Sequence, residues 1–229
     1  NTLTERLNQI RAQITKAEQA FNRQPGSVRL LAVSKTKPVE DILEAWQAGQ
    51  RDFGESYLQD ALPKITALAD REITWHFIGP IQSNKSRAIA EHFQWVHSVD
   101  RLKIARRLSE QRPAELPPLN ICLQVNASDD PAKSGVSLAE APALAKEIGQ
   151  LANLRLRGLM TIPAFSEDFA EQRRPFHALK TLFDELNKQD MSLDTLSMGM
   201  TGDMDAAIAE GATLVRIGTA IFGQRSIKA

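Results

Sequence analysis

Leu30-Leu31-Ala32-Val33-Ser34-Lys35-Thr36-Lys37-Pro38 runs directly into Val39-Glu40-Asp41-Ile42-Leu43-Glu44-Ala45-Trp46. The first part is an apolar run that reads as a buried strand and ends abruptly in a lysine. The second reads as a helix: Pro38 suits its first turn, Glu40 and Asp41 suit the positive end of its dipole, and Gly49 stops it.

The same unit recurs along the chain. Apolar strand candidates fall at 30–35, 51–54, 74–79, 95–99, 120–126, 155–161, 194–199 and 213–218. Amphipathic segments at 56–69, 84–92, 101–111, 138–151, 167–189 and 203–210 lie between later strands, and 2–21 supplies an extra leading helix. Eight strands joined by helices, several apolar on both faces, predict a single (β/α)8 TIM barrel with an additional N-terminal helix. A doubly wound open sheet is the second choice. The Pro-rich stretch 112–118 is too short to divide domains, so residues 1–229 are expected to form one domain.

Composition narrows the function classes. Lys plus Arg and Asp plus Glu each total 28, so no net field gathers polyanions, and a nucleic-acid-binding role is disfavoured. The single cysteine, Cys122, lies in an apolar run and reads as a buried structural thiol. Asn1-Thr2-Leu3-Thr4-Glu5-Arg6 lead into a charged amphipathic pattern, and no apolar stretch reaches the roughly 18 residues of a membrane span. The expectation is a soluble, cytoplasmic protein.

In a parallel barrel all strands end on one face, so strand-end residues form a site map. Lys35 ends the first strand, and Ser56 and Tyr57 follow the second. His76 lies in the third, Asn126 ends the fifth and Met160 the sixth. The last two end in Ser197-Met198-Gly199-Met200-Thr201-Gly202-Asp203 and Arg216-Ile217-Gly218-Thr219-Ala220-Ile221-Phe222-Gly223. Small and hydroxylic residues there let backbone N–H groups approach an oxyanion, and such barrels often hold phosphate after strands seven and eight. A lysine at the mouth of an apolar core supplies a carbonyl-trapping amine beside that cradle, since the first strand neighbours the eighth. Pyridoxal phosphate carries both an aldehyde and a phosphate.

Period-two alternation puts Leu214, Arg216 and Gly218 on one face. Arg216 then either pairs with a carboxylate such as Asp203 or donates to a pyridine nitrogen and keeps it unprotonated, which disfavours carbanion chemistry. The four histidines show no paired metal spacing. Gln82-Ser83-Asn84-Lys85 fits a helix cap as well as an anion site. Tyr57, the only tyrosine, fits packing or a second acid/base in a racemase.

With these residues in view the chain closely resembles the pyridoxal phosphate homeostasis protein family, which shares its barrel with the N-terminal domain of alanine racemase. The resemblance rests on Leu31-Ala32-Val33-Ser34-Lys35-Thr36-Lys37-Pro38, Phe53-Gly54-Glu55, Trp75-His76-Phe77-Ile78-Gly79-Pro80, Gln124-Val125-Asn126, Lys133-Ser134-Gly135, Arg157-Gly158-Leu159-Met160 and the two C-terminal motifs above. It implies a monomeric, cytosolic, non-catalytic protein that holds pyridoxal 5'-phosphate as a lysine aldimine and regulates vitamin B6 supply, with effects on amino-acid and keto-acid balance. Lys35 falls on the Schiff-base position and Arg216 on the pyridine-nitrogen partner. Ser197, Thr201, Gly218 and Thr219 fall on the phosphate cradle, and the strand-end map adds Ser56, Met160, His76 and Asn126 as further candidate cofactor contacts. Pyridoxal-phosphate-dependent client enzymes are the implied partners, with neither nucleic acid nor membrane. The family lacks the second domain of alanine racemase, and a chain closing at Ala229 is expected to lack it too, so a racemase of low activity is the alternative reading. Two positions depart from the pattern: Ser56 stands where asparagine is usual, and Gly202 stands within a usual Ser-Asp-Asp continuation.

Overall fold

A computed structural model describes residues 1–128 and 130–224. Helix α1 (Leu3–Ala20) leads into β1 (Arg29–Val33), α2 (Val39–Gln47), β2 (Asp52–Glu55), α3 (Leu58–Ala67) and β3 (Thr74–Phe77). A 3-10 turn at Ser83–Lys85 opens α4 (Ser86–His92), followed by β4 (Trp95–Val99), α5 (Leu102–Gln111) and β5 (Leu119–Asn126). Then come the two-residue β6 (Val136–Ser137), α6 (Ala141–Ile148), β7 (Leu154–Met160), α7 (Phe169–Lys188), β8 (Thr195–Ser197), α8 (Met204–Ala209), β9 (Leu214–Ile217) and the short α9 (Thr219–Phe222).

The strands pair in parallel in the order β1-β2-β3-β4-β5-β7-β8-β9, and β9 returns to β1 to close the ring. This is the expected (β/α)8 barrel with a leading helix. Strand β6 is appended to β5 and was not read from sequence; its pairing of Val136 with Val125 delays α6, which starts at Ala141 rather than near 138. Several strands stop a residue or two earlier than their apolar runs, although single ladder bonds continue past them. The Ser34 N–H donates to the Gly54 carbonyl at 2.9 Å, and the Ile78 N–H donates to the Glu55 carbonyl at 2.9 Å.

Alternation along each strand separates two interiors. Leu30, Ala32, Phe53, Trp75, Phe77, Val215 and Ile217 face outward into the main core, packed beneath the helices. Their neighbours face the barrel axis, where a smaller cluster of Trp95, Cys122 and Met160 sits among polar side chains. Burial pushes the Cys122 thiol up to about 12, as suits a structural rather than a nucleophilic cysteine.

Helix α1 forms because Thr2 and Glu5 make a reciprocal capping box and because Leu3, Leu7, Ile10, Ile14 and Ala17 share one face. It straddles the seam between the first and last units. The Arg6 Nε–H donates to the Ile221 carbonyl at 2.8 Å, and an Arg11 Nη1–H donates to the Ala48 carbonyl at 2.8 Å. Among the described residues no helix is long and apolar enough to cross a membrane.

Candidate functional site

A cavity of about 580 Å³ opens at the C-terminal ends of the strands. Lys35 reaches it from the β1–α2 loop and Ser56 from the end of β2. Arg216 enters from β9, Gly218 and Thr219 from the turn into α9, and Thr201 and Gly202 from the β8–α8 loop. Six sequence-predicted residues, Lys35, Ser56, Thr201, Arg216, Gly218 and Thr219, are therefore brought together. Val33, Ile78, Ile162 and Met200 complete the wall and were not anticipated. Their signal was present, since each sits at or just beyond a strand end, but apolar residues there read as strand core.

Lys35 is half-buried, and among the described residues its amine makes no hydrogen bond or ion pair. The backbone around it is held on both sides. Ser34 is buried and donates its hydroxyl to Glu55, while the Lys64 ammonium donates to the Ser34 carbonyl at 2.9 Å and to Glu55 at 3.0 Å. On the other side the Thr36 N–H donates to Asp60 at 2.8 Å, and Thr36 sits in the left-handed region with φ 64°. Asp60 is also bridged to Lys64 at 2.9 Å. Lys37 donates to the carbonyls of Gly223 and Gln224 at 2.9 and 2.8 Å, which ties this loop to the end of α9. Burial raises the Glu55 carboxyl, opposed by Lys64 and the Ser34 hydroxyl.

Gly79 explains how Ser56 comes to the rim. A Cβ there would lie 2.4 Å from the Ser56 carbonyl oxygen, so only glycine lets the β3 loop close on the β2 loop.

Arg216 is almost wholly buried, and its Nη1–H donates to the Ser197 hydroxyl at 2.7 Å while its Nη2–H donates to the Thr161 carbonyl at 3.0 Å. Burial pushes its pKa down to about 10, opposed by Asp203 and Cys122. The Asp203 pairing weighed from sequence does not form. Asp203 instead accepts the Met200 N–H at 2.7 Å and closes its own turn. Ser197 in turn meets His97 Nδ1 at 2.7 Å, His97 Nε2 meets His76 Nδ1 at 2.9 Å, and His76 Nε2 meets Asp52 Oδ1 at 2.8 Å.

Four sequence candidates stand off the cavity wall. Ser197 is fully buried behind Arg216, and His76 lies fully buried deeper along the barrel axis, stacked on Trp95 at 5.3 Å. Met160 joins the inner apolar cluster. Asn126 is spent on its own loop, donating to the carbonyls of Asp130 and Lys133 and accepting from Ser128. The physical reason is common to the first three: alternation fixes which face a residue takes, not how far below the rim it sits. Tyr57 lines a neighbouring cavity with Gln82 and Lys85 instead of the one holding Lys35.

Residues 6–226 match the family described as alanine racemase, N-terminal domain. Proteins called pyridoxal phosphate homeostasis protein are similar over nearly their whole length. The one from Pseudomonas aeruginosa is 60% identical over 225 residues, covering 98% of this chain and 96% of that one. The Escherichia coli K12 protein is 51% identical, covering 98% and 97%. Among solved structures, PipY of Synechococcus elongatus PCC7942 with PLP bound is 40% identical with a TM-score of 0.85, covering 97% of this chain and all of that one. Alanine racemase of Clostridium difficile shares the fold at a TM-score of 0.74 and 14% identity, with 56% of its length covered. The site and fold thus define an alanine-racemase-like barrel with a lysine at its rim. Within that class, the chain belongs to the pyridoxal phosphate homeostasis protein family.

Proposed function

We propose that this chain binds pyridoxal 5'-phosphate in the cavity beside Lys35, holds it as a Schiff base with that residue, and serves as a non-catalytic carrier and regulator of vitamin B6 supply in the cytoplasm. Effects on amino-acid and keto-acid balance follow from the cofactor's many uses. The observation that carries this reading is one cavity shared by an amine with no polar partner among the described residues, a buried guanidinium, and the hydroxyls and backbone of Thr201, Gly218 and Thr219. The solved relative with PLP bound and the homeostasis names of the closely similar proteins support it.

The donor set suits such a ligand. Thr201 and Thr219 offer hydroxyls to an anion at the cavity wall. Arg216 has five N–H donors and no acceptor, so beyond its bonds to Ser197 and Thr161 it can only donate, which suits an unprotonated ring nitrogen. When bound, the cofactor supplies an aldehyde for a lysine and a ring that draws electrons. Beside a donor-only arginine that ring is a weak electron sink, which favours holding over turnover. Monomeric barrels handing cofactor to client enzymes complete the proposal.

The test is an absorption spectrum of the protein loaded with pyridoxal phosphate, before and after borohydride. A yellow band that vanishes on reduction, with the mass added on the peptide containing Lys35, is expected. A label on another lysine, or no label, overturns the assignment.

A further inference from the structure

The barrel axis carries a hydrogen-bonded chain that the cavity chemistry does not use directly. Its links are Arg216, Ser197, His97, His76 and Asp52, joined by four contacts of 2.7, 2.7, 2.9 and 2.8 Å. Asp52 lies at the opposite end of the barrel from the cavity, bonded to Arg29 at 2.7 Å.

Only one arrangement of protons satisfies every link with both rings neutral. Arg216 can only donate, so Ser197 accepts from it. The serine hydroxyl then donates to His97 Nδ1, leaving the His97 proton on Nε2. That proton is donated to His76 Nδ1, and the His76 proton, also on Nε2, is donated to the Asp52 carboxylate. In the reverse order the Ser197 hydroxyl proton has no acceptor among the described residues, and a neutral His76 would turn a lone pair toward a carboxylate. Neutral rings agree with burial, which lowers the pKa of His76 and holds that of His97 well below the ordinary histidine range, although the bond to Asp52 opposes the shift at His76. The charged groups facing the two rings are Asp52 from β2, Arg29 from β1 and Arg216 from β9.

We propose that Asp52, His76 and His97 are positioning residues for the cofactor cavity: a one-way relay runs from the Arg216 guanidinium to a carboxylate at the far end of the barrel and fixes the guanidinium as a charged donor at the cavity wall. Arg216 has no ion pair among the described residues; Asp203 is the nearby carboxylate that favours its charge, while Asp52, paired directly with Arg29, is linked to it through the three neutral side chains of the relay. Donors all pointing one way polarise each other, which strengthens each bond in the chain. The inference rests on the proposed function only for the identity of the ligand that Arg216 faces.

Two measurements test it. The first uses the chain without ligand: nitrogen-15 NMR of the histidine side chains at pH 7 is expected to show His76 and His97 neutral with the proton on Nε2. A proton on Nδ1, or a charged ring, at either residue overturns the relay. The second uses the protein loaded with pyridoxal phosphate. Asp52→Asn keeps the shape and an acceptor but removes the negative charge that anchors the relay, so each donor back to Arg216 is less polarised. The pH midpoint of the absorption band is expected to fall by about half a unit or more, because loss of an anion from the relay makes the cavity wall more positive and disfavours protons on a nearby ligand. Asp52→Glu is expected to return it toward the original value, which a purely structural role would not do. A folded Asp52→Asn protein with an unmoved midpoint overturns the relay. If the unaltered protein takes up no pyridoxal phosphate, the proposed function fails instead, and the NMR result alone decides the relay.

Discussion

Leu31 and Arg216 are register partners where β1 meets β9. The strand that leads to Lys35 is therefore bonded along its length to the strand that carries the guanidinium, and the two loops that follow share one cavity wall. Because Lys37 also clasps the carbonyls of Gly223 and Gln224, the amine-bearing loop and the end of α9 are fixed to each other from both ends.

Lys35→Ala is expected to remove the borohydride label while leaving the fold intact. The amine has no polar partner among the described residues, so the change in stability should stay within about 0.5 kcal/mol. Urea denaturation beside mass spectrometry checks both halves.

Thr201→Val and Thr219→Val separate the anion grip from the rest of the cavity. Each removes a hydroxyl suited to a charged acceptor, worth about 1.5–3 kcal/mol. Affinity for pyridoxal phosphate should fall by about tenfold or more, whereas affinity for pyridoxal, which lacks the phosphate, should hardly change. Equilibrium dialysis of both compounds distinguishes them; equal losses would place the anion elsewhere.

Lys64→Met strands the fully buried Glu55 carboxylate, since Lys64 is its cationic partner at 3.0 Å. A loss of about 3–5 kcal/mol at pH 7 is expected. The sign of its pH dependence is fixed by the direction of the Glu55 shift. A carboxyl whose folded pKa is raised is most favourable below its unfolded pKa, near 4.5, and loses that advantage as pH rises through the folded value. The deficit of the variant should therefore shrink between pH 7 and pH 5, which thermal midpoints at the two values would show.

His76 and His97 run the other way. Their folded pKa values are lowered, so the unfolded chain binds more protons as pH falls below about 6.5, and stability is lost in that direction. Relative to the parent, His97→Gln should be less stable at pH 7.5 but show a shallower decline toward pH 5.5. Each buried ring contributes a slope of up to about 1.4 kcal/mol per pH unit. Parallel declines in urea midpoint would contradict neutral burial.

Gly79→Ala should cost about 1–3 kcal/mol, because its methyl would press on the Ser56 backbone, which cannot swing aside as a side chain can. Displacement of Ser56 at the cavity rim should accompany the loss, visible as weakened uptake of pyridoxal phosphate.

The barrel was legible because its signal is local and repeated: each apolar run is followed by an amphipathic segment with its own start and stop. Lys35, Arg216, Thr201 and Gly218 could be placed together because closure of such a ring makes its first and last strands neighbours. Depth along the axis was not legible. Ser197, His76 and Met160 read as site residues because they sit near apolar strand ends, yet the strands tilt and stop at different heights, which leaves these side chains beneath the rim. Nor did the sequence reveal the relay, since His76 and His97 lie on adjacent strands 21 residues apart and meet only through register. A sharper reading of alternation could have found them: His76 stands between Trp75 and Phe77, both of which face the outer core. Residues 225–229, on which the expectation of no further domain turned, lie outside the described residues.

Helix α1 grips the far end of the chain, with Arg6 and Ile221 separated by 215 positions. During synthesis the opening helix therefore leaves the ribosome long before its partner exists, and the ring stays open until β9 has been made. Contacts that span so much sequence form late and slowly, which exposes the unsealed edges of β1 and β8 to wrong pairing in the interval. The nascent protein is thus most vulnerable just before β9 arrives.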